Sequence, residues 1–253
     1  MLAAERRDLL MARLRRDGKL VARDLAEELG LSEHSVRRDL RELAAAGLCQ
    51  RVYGGALPVS PLLGTTQAVR SEIAPDSKRR VAERAAYLIT PGSTVILDGG
   101  TTTLAVVKAL RPDLNATIIT HSPSTAAALM DHPTVRVFVL GGWLHKDSSV
   151  TSGSATAEAA SIISADLYLL VSTGLHENAG LTCTDPDEAA LQRLLISRAA
   201  DTYVLSTLDK IGKVAPFTIT NPAEMGGIVT DAPADHPTVE ALRQRGVNII
   251  HAP

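Results

Sequence analysis

The chain reads as an α+β multidomain protein: a small winged helix-turn-helix domain, then an α/β domain whose mostly parallel sheet is covered by helices on both faces. Three observations predict this. Stripes of Leu, Val and Ala at helical spacing open the chain and end in an arginine-rich helix, followed by a short apolar segment around Gly54-Gly55. A stretch holding Pro58, Pro61, Gly64 and Pro75, with Ser and Thr between, then breaks all periodicity. Beyond it, apolar runs of four to six residues alternate with helical stretches, the pattern of strands buried on both faces. The expected boundaries are 1–57 for the first domain, 58–76 for a linker and 77–253 for the second.

A length of 253 residues fits one small and one larger domain. Hydrophobic residues make up 45% and aromatics only 3%, so Ala, Val, Leu and Ile must build the core. The net charge of −2 divides into +2 for the first 60 residues and −4 for the rest, which permits a nucleic-acid partner without demanding one. Cys49 and Cys183 lie far apart with no CxxC, which excludes a cysteine-based zinc finger and argues against a disulfide framework. No run of about 18 apolar residues exists, and charges begin at Glu5, where a secretory signal would be apolar. A cytoplasmic protein without a membrane segment, metal or cofactor is expected.

Three short helices are expected over 1–47. Leu2, Leu9, Leu10 and Leu14 mark the first, which Gly18 ends. Val21, Leu25 and Leu29 recur every four residues in the second, and Gly30 suits its C-cap. Ser32 suits the N-cap of the third, Val36, Leu40 and Leu43 its buried stripe, and Gly47 its stop. Leu48 to Tyr53 forms a strand, Gly54-Gly55 a turn, and Ala56-Leu57 the return. In the second domain, strands are expected at 94–98, 116–120, 135–140, 166–172, 202–206, 226–230 and 247–250. Helices are expected near 78–89, 102–110, 123–131, 154–164, 187–199 and 238–245.

With Val36, Leu40 and Leu43 turned inward, Arg37, Arg38 and Arg41 are left outside, free to meet guanine or phosphate. Ser32, His34 and Ser35 sit at the helix start, the end that meets base edges in a major groove. Arg51, Tyr53 and Gly54 lie on the wing. A solvated arginine face on a plain helical bundle is the alternative, and the wing weighs against it.

The residues LAEELGLSEHSVRRDLREL and RVYGGA carry a close resemblance to the winged helix of the DeoR family of bacterial regulators. That resemblance implies a double-stranded DNA operator as partner and action as a repressor. Members often have His where this chain has Tyr53.

Asp98-Gly99-Gly100-Thr101-Thr102-Thr103 stands between an apolar strand and a helix. Glycines admit backbone N–H groups to an anion, the helix start is electropositive, and hydroxyls donate. A phosphate cradle and a capped β-to-α turn both fit. No Lys follows the glycines, so this is not a nucleotide-hydrolysing loop. His121, Ser122, Gly141, Gly142, Asp185, Glu188 and Lys210 lie in further loops after strands, the edge where open α/β sheets bind ligands. Trp143 is expected to pack at the base of its loop, with stacking on a ligand as the alternative.

From Lys78 onward, LDGGTTT, THS, LGG, GLTCTDPDEAAL and DKIG are similar to the sensor domain of the same family, whose fold is similar to ribose-5-phosphate isomerase. The resemblance implies a small phosphorylated metabolite as effector. It implies a pocket formed by Asp98, Gly100, Thr101, Thr102, Thr103, His121, Ser122, Gly141, Gly142, Asp185, Glu188 and Lys210. Many members have Asn at His121, Lys at Gln192 and Ala-Asp at Ser172-Thr173, which leaves the ligand class open. Paired half-sites need paired heads, so a homo-oligomer, dimer or tetramer, is expected. The other reading is a sugar-phosphate isomerase with a DNA-binding arm, in which Asp185 and Glu188 work as acid and base and Lys210 steadies an enolate. The N-terminal domain, which an isomerase does not need, favours the regulator.

Overall fold

A computed structural model describes residues 3–46, 48–57 and 67–253. Leu2, Gly47 and the stretch from Pro58 to Gly64 therefore lie outside the described residues. Helices α1 (Ala3–Asp17), α2 (Ala22–Leu29) and α3 (Glu33–Ala45) pack with the strands β1 (Leu20–Val21), β2 (Gln50–Val52) and β3 (Gly55–Leu57). Gly30 takes a left-handed φ of 63° as the α2 cap, and the Ser32 hydroxyl accepts from the Ser35 amide to cap α3. Leu10, Leu14, Leu25, Val36, Leu40 and Leu43 are buried as the periodicity predicts, whereas Leu9 and Leu29 are half-buried and Val21 lies in β1, exposed, rather than in the second helix.

Two features of this head exceed the sequence reading. Leu20-Val21 form a short strand against β3, so the wing is three-stranded. A Cβ on Gly55 would lie 1.7 Å from the Leu20 carbonyl oxygen, so only glycine lets these strands approach. Asp39, inside the arginine-rich helix, faces inward and pairs with Arg6 of α1, its Oδ1 accepting from Nη2 at 3.0 Å.

The larger unit begins with α4 (Gln67–Ser71) and α5 (Pro75–Ala86). The second half of the stretch expected as linker is thus largely helical. Seven strands form one parallel sheet: β4 (Thr94–Leu97), β5 (Thr117–Thr120), β6 (Arg136–Val139), β9 (Ala165–Val171), β12 (Ala199–Ser206), β14 (Gly227–Thr230) and β15 (Ile249–His251). These are the seven apolar runs of the sequence, each displaced by three residues or fewer. Val95, Leu97, Leu167, Leu169 and Val171 turn to one face, under α5, α6 (Thr101–Ala109) and α7 (Pro123–Ala128). Ile96, Tyr168, Leu170 and Val204 turn to the other, under α8 (Ser154–Ser161), α9 (Pro186–Ile196) and α10 (Pro237–Gln244). The strands not foreseen are short: the hairpin of β7 (Trp143–His145) with β8 (Val150–Ser152), and an antiparallel trio of β10 (Gly174–His176), β11 (Gly180–Cys183) and β13 (Phe217–Thr220). Among the described residues, no helix is long and apolar enough to cross a membrane.

The order along the sheet is β15-β14-β12-β9-β4-β5-β6. The chain enters at β4, runs outward through β5 to β6, then returns to lay β9 on the other side of β4. The strand order therefore reverses between β4 and β9, and a crevice opens at their carboxyl ends.

Candidate functional site

The head presents one polar surface. Arg37, Arg38 and Arg41 are exposed on α3, as are Ser32 and His34 at its start, and Ser35 is half-buried there. Arg37 donates to Glu33 one turn back, at 2.6 and 3.0 Å, which holds its guanidinium along the helix. Arg37 also shares a notch with Arg51, Tyr53 and Gly54, so α3 and the wing form one continuous face. Tyr53 stands fully exposed on the wing.

At the reversal of strand order, a cavity of about 80 Å³ is lined by Gly99, Gly100 and Thr101 after β4, and by Val171, Ser172 and Thr173 after β9. Glu188 of α9 and the 3₁₀ turn Leu208–Lys210 line it too. Three cations reach it: Lys210, Arg70 of α4 and Lys78 of α5. The Lys78 ammonium donates to the carbonyls of Arg70 and Ile73, the latter at 2.5 Å, and so ties the segment that carries Arg70 to the rim. Burial pulls all three cations below their ordinary pKa, Lys210 to about 8. Burial lifts Glu188 to about 7, helped by the charges of Asp98 and Asp185. The Ser172 hydroxyl is buried and has no partner among the described residues.

Below this floor lies a polar hub. Asp98 accepts from the amides of Gly99 and Val171 and from the Gln192 amide nitrogen, each at 2.9 Å, and His121 Nε2 lies 3.3 Å away. Burial raises Asp98 to about 6, against the pull of those donors, and lowers His121 to about 4. Asp98 thus joins the ends of β4 and β9 to α9. Gln192 serves this hub as a neutral donor.

A wider hollow of about 760 Å³ runs between α5 and α6, lined by Tyr87, Ile89, Leu104, Ala105 and Lys108. It is mostly apolar, and the buried groups with shifted pKa, Glu188 and Lys210, line the smaller crevice instead.

Of the residues picked as the pocket, Gly100, Thr101, Glu188 and Lys210 line the cavity. Thr102 and Thr103 do not: they turn inward on α6 and are buried. Asp98 and His121 lie in the hub beneath. Ser122 caps α7, accepting from the Thr125 amide and donating to the Ser149 carbonyl. Gly141 accepts from the Thr156 hydroxyl, and Gly142 lies so close that a Cβ would strike it, so both glycines seat α8 outside the cavity. Asp185 caps α9, accepting from the amides of Asp187 and Glu188. Trp143 is 82% exposed, which corrects the expectation that it packs at the loop base, and it does not line the cavity. Arg70, Lys78 and Ser148 escaped the sequence reading; only the excess of cations around α4 and α5 hinted at the first two.

The two units touch. Asn178, in the β10–β11 turn, donates to the Arg16 carbonyl at 2.9 Å, and Gly18 packs against His176 and Val214. Among the described residues, no group of three His, Cys, Asp or Glu is placed to hold a metal ion. Cys49 and Cys183 are buried free thiols.

Comparison with known proteins matches residues 73–232 to the DeoR C terminal sensor domain and residues 6–61 to the DeoR-like helix-turn-helix domain. The chain is 30% identical to the HTH-type transcriptional regulator GlpR of Haloferax volcanii, over 99% of this chain and 98% of that one. It is 27% identical to the glycerol-3-phosphate regulon repressor of Escherichia coli (strain K12), over 98% of this chain and 99% of that one. A ribose 5-phosphate isomerase from Methanocaldococcus jannaschii superposes with a TM-score of 0.41 at 16% identity, over 54% of each chain.

Proposed function

Since the chain belongs to the DeoR family of DNA-binding transcriptional regulators, we propose that it is a repressor released from its operator by a small phosphorylated sugar or polyol bound between β4 and β9. One observation carries the effector half. Lys210, Arg70 and Lys78 converge with the first turn of α6 on a cavity at the reversal of strand order. Helix-start amides and the Thr101 hydroxyl take phosphate oxygens, the cations balance the charge, and Glu188 and Ser172 meet sugar hydroxyls. A relative's name, repressor of a glycerol-3-phosphate regulon, supports this chemical class.

The arrangement favours a sensor over an isomerase. An acid–base pair of Asp185 and Glu188 would need both carboxylates on the substrate, and Asp185 is engaged as the cap of α9. For the DNA half, the exposed Arg38 meets phosphate or a base edge at the start of the groove contact.

Gel-shift titrations test both halves. Glycerol 3-phosphate or ribose 5-phosphate should release the wild-type protein from its operator, while glycerol and ribose should not. Arg38→Ala should weaken operator binding without changing the melting temperature. If Arg38 grips a phosphate, the salt slope should flatten by about one; if it reads a base, the substitution should cost roughly 1–3 kcal/mol. Equal release by the unphosphorylated compounds would rule out the phosphate reading. Unchanged operator affinity in Arg38→Ala would remove that residue from the interface.

A further inference from the structure

Strand β6 closes one side of the sheet and, among the described strands, pairs only with β5. Its four residues are all exposed, and three are apolar: Val137, Phe138 and Val139. The neighbouring β7 adds Trp143 and Leu144, also exposed. The whole chain holds one Trp and two Phe; the Trp and Phe138 both stand in water within residues 136–145, and the second Phe, Phe217 of β13, is less exposed, at 37% against 47%. The opposite edge differs: Ile249 and Ile250 of β15 are half-buried.

The backbone of that edge is open as well. Arg136 and Leu140 turn their amides to carbonyls at 116 and 120 beside β5. Alternation then points the amides of Val137 and Val139 away from the sheet. Exposed edges are ordinarily blunted by Lys, Pro or a bulge. Residues 136–139 contain no Lys and no Pro, and their register with β5 is unbroken.

We propose that β6 is where a second copy of this chain docks, the two β6 strands running antiparallel about a two-fold axis at Phe138. The strand is complementary to itself in that arrangement. Phe138 faces the partner's Phe138, and Val137 faces the partner's Val139. The outward amides and carbonyls of 137 and 139 satisfy each other, and Arg136 falls opposite the partner's Leu140, so no like charges meet. A closed two-fold pairing leaves neither copy with an open β6 edge, and it presents two winged helices to a two-fold operator. The seven-stranded sheets join into one continuous sheet.

Two measurements test this on the full-length protein, and neither depends on the effector. In Phe138→Cys, the new thiols lie across a non-hydrogen-bonded antiparallel pair, whose Cα spacing of about 4.5 Å suits a disulfide. Mild oxidation should convert that variant to a reducible covalent dimer, without background from the buried Cys49 and Cys183. In sedimentation, Val137→Glu/Val139→Glu and Val137→Lys/Val139→Lys should each show half the wild-type assembly mass. Their equimolar mixture should regain it, because Glu then faces Lys. A monomeric wild-type protein, a Phe138→Cys variant that does not cross-link, or charge variants that keep the wild-type mass would each overturn the assignment. So would two folded charge variants that fail to recombine.

Discussion

On the proposed reading, Lys210 and Glu188 set the pH range in which the crevice would hold a phosphate. Glu188 gains its negative charge near pH 7, and Lys210 loses its positive charge near pH 8. Each step makes the cavity more negative by one charge as pH rises. A phosphate monoester, with a second pKa of about 6, is mostly dianionic by about pH 7, so its own ionisation offsets little of the change. Effector affinity should therefore fall between about pH 6.5 and 9, by roughly tenfold or more for the loss of one charge-assisted hydrogen bond. Glu188→Gln should remove the step near 7 and leave the one near 8. Calorimetric titration of glycerol 3-phosphate across this range decides, and a flat profile would mean that Lys210 does not touch the ligand. Lys210 and Glu188 were legible in the sequence because each follows a strand in a polar loop. Arg70 and Lys78 were not, because they come from before the sheet and reach the crevice only through the packing of α4 and α5. Asp39 was hidden differently: between two arginines it reads as a solvated charge, and only the approach of Arg6 from α1 turns it inward.

At the scale of elements, continuous apolar runs gave away all seven sheet strands: the inner ones, buried on both faces, have no polar alternation to confuse them, and the edge strand β6, though exposed, keeps three apolar residues of four. The hairpin of β7 and β8 and the trio of β10, β11 and β13 have strands of three or four residues, too short to show a period. Their sequences also share Gly and Thr with ordinary loops. Helix α6 shows the same limit within one element. The run Thr101-Thr102-Thr103 marks a helix start, but the rotation of that helix decides which threonine meets the cavity. Thr101 lines it, while Thr102 is buried with a hydroxyl that finds no partner among the described residues. Thr101→Asp should thus leave the fold intact, since a carboxylate in the first turn is favoured by ~0.3–1 kcal/mol, and should abolish the response to effector by occupying the phosphate position. Thr102→Val should bind effector normally and melt no lower than wild type, because a buried, unpaired hydroxyl contributes nothing that a methyl does not. Thermal unfolding together with operator release separates the two. A normal effector response in Thr101→Asp would reduce the loop to a capped turn.

Across the whole molecule, a short path joins the crevice to the head. Lys210 ends the 3₁₀ turn, Ile211 bridges to Leu175 of β10, and the Gly212 amide donates to the Leu175 carbonyl at 2.7 Å. Val214, four residues beyond Lys210, lies under Gly18 at the end of α1, where a Cβ would come within 2.5 Å of it. The left-handed φ of 69° at Gly18 turns the chain at that contact. Beside it, Arg245 donates to the Asn178 side-chain oxygen at 2.7 Å, which aims the Asn178 amide at the Arg16 carbonyl. A ligand that draws Lys210 into the crevice pulls on the same loop that seats the head. Operator release then requires that the two arrangements of this seat differ in their fit to DNA. Asn178→Ala removes the clamp while touching neither the crevice nor α3. It should leave operator affinity without effector, and effector affinity without DNA, within about twofold of wild type. What it should lose is coupling: the factor by which saturating effector weakens operator binding, typically ~5–150 in such systems, should shrink several-fold. The experiment is a pair of operator titrations, with and without saturating glycerol 3-phosphate, on wild type and Asn178→Ala. If the ratio of the two dissociation constants is the same in both proteins, the Asn178 clamp does not carry the signal.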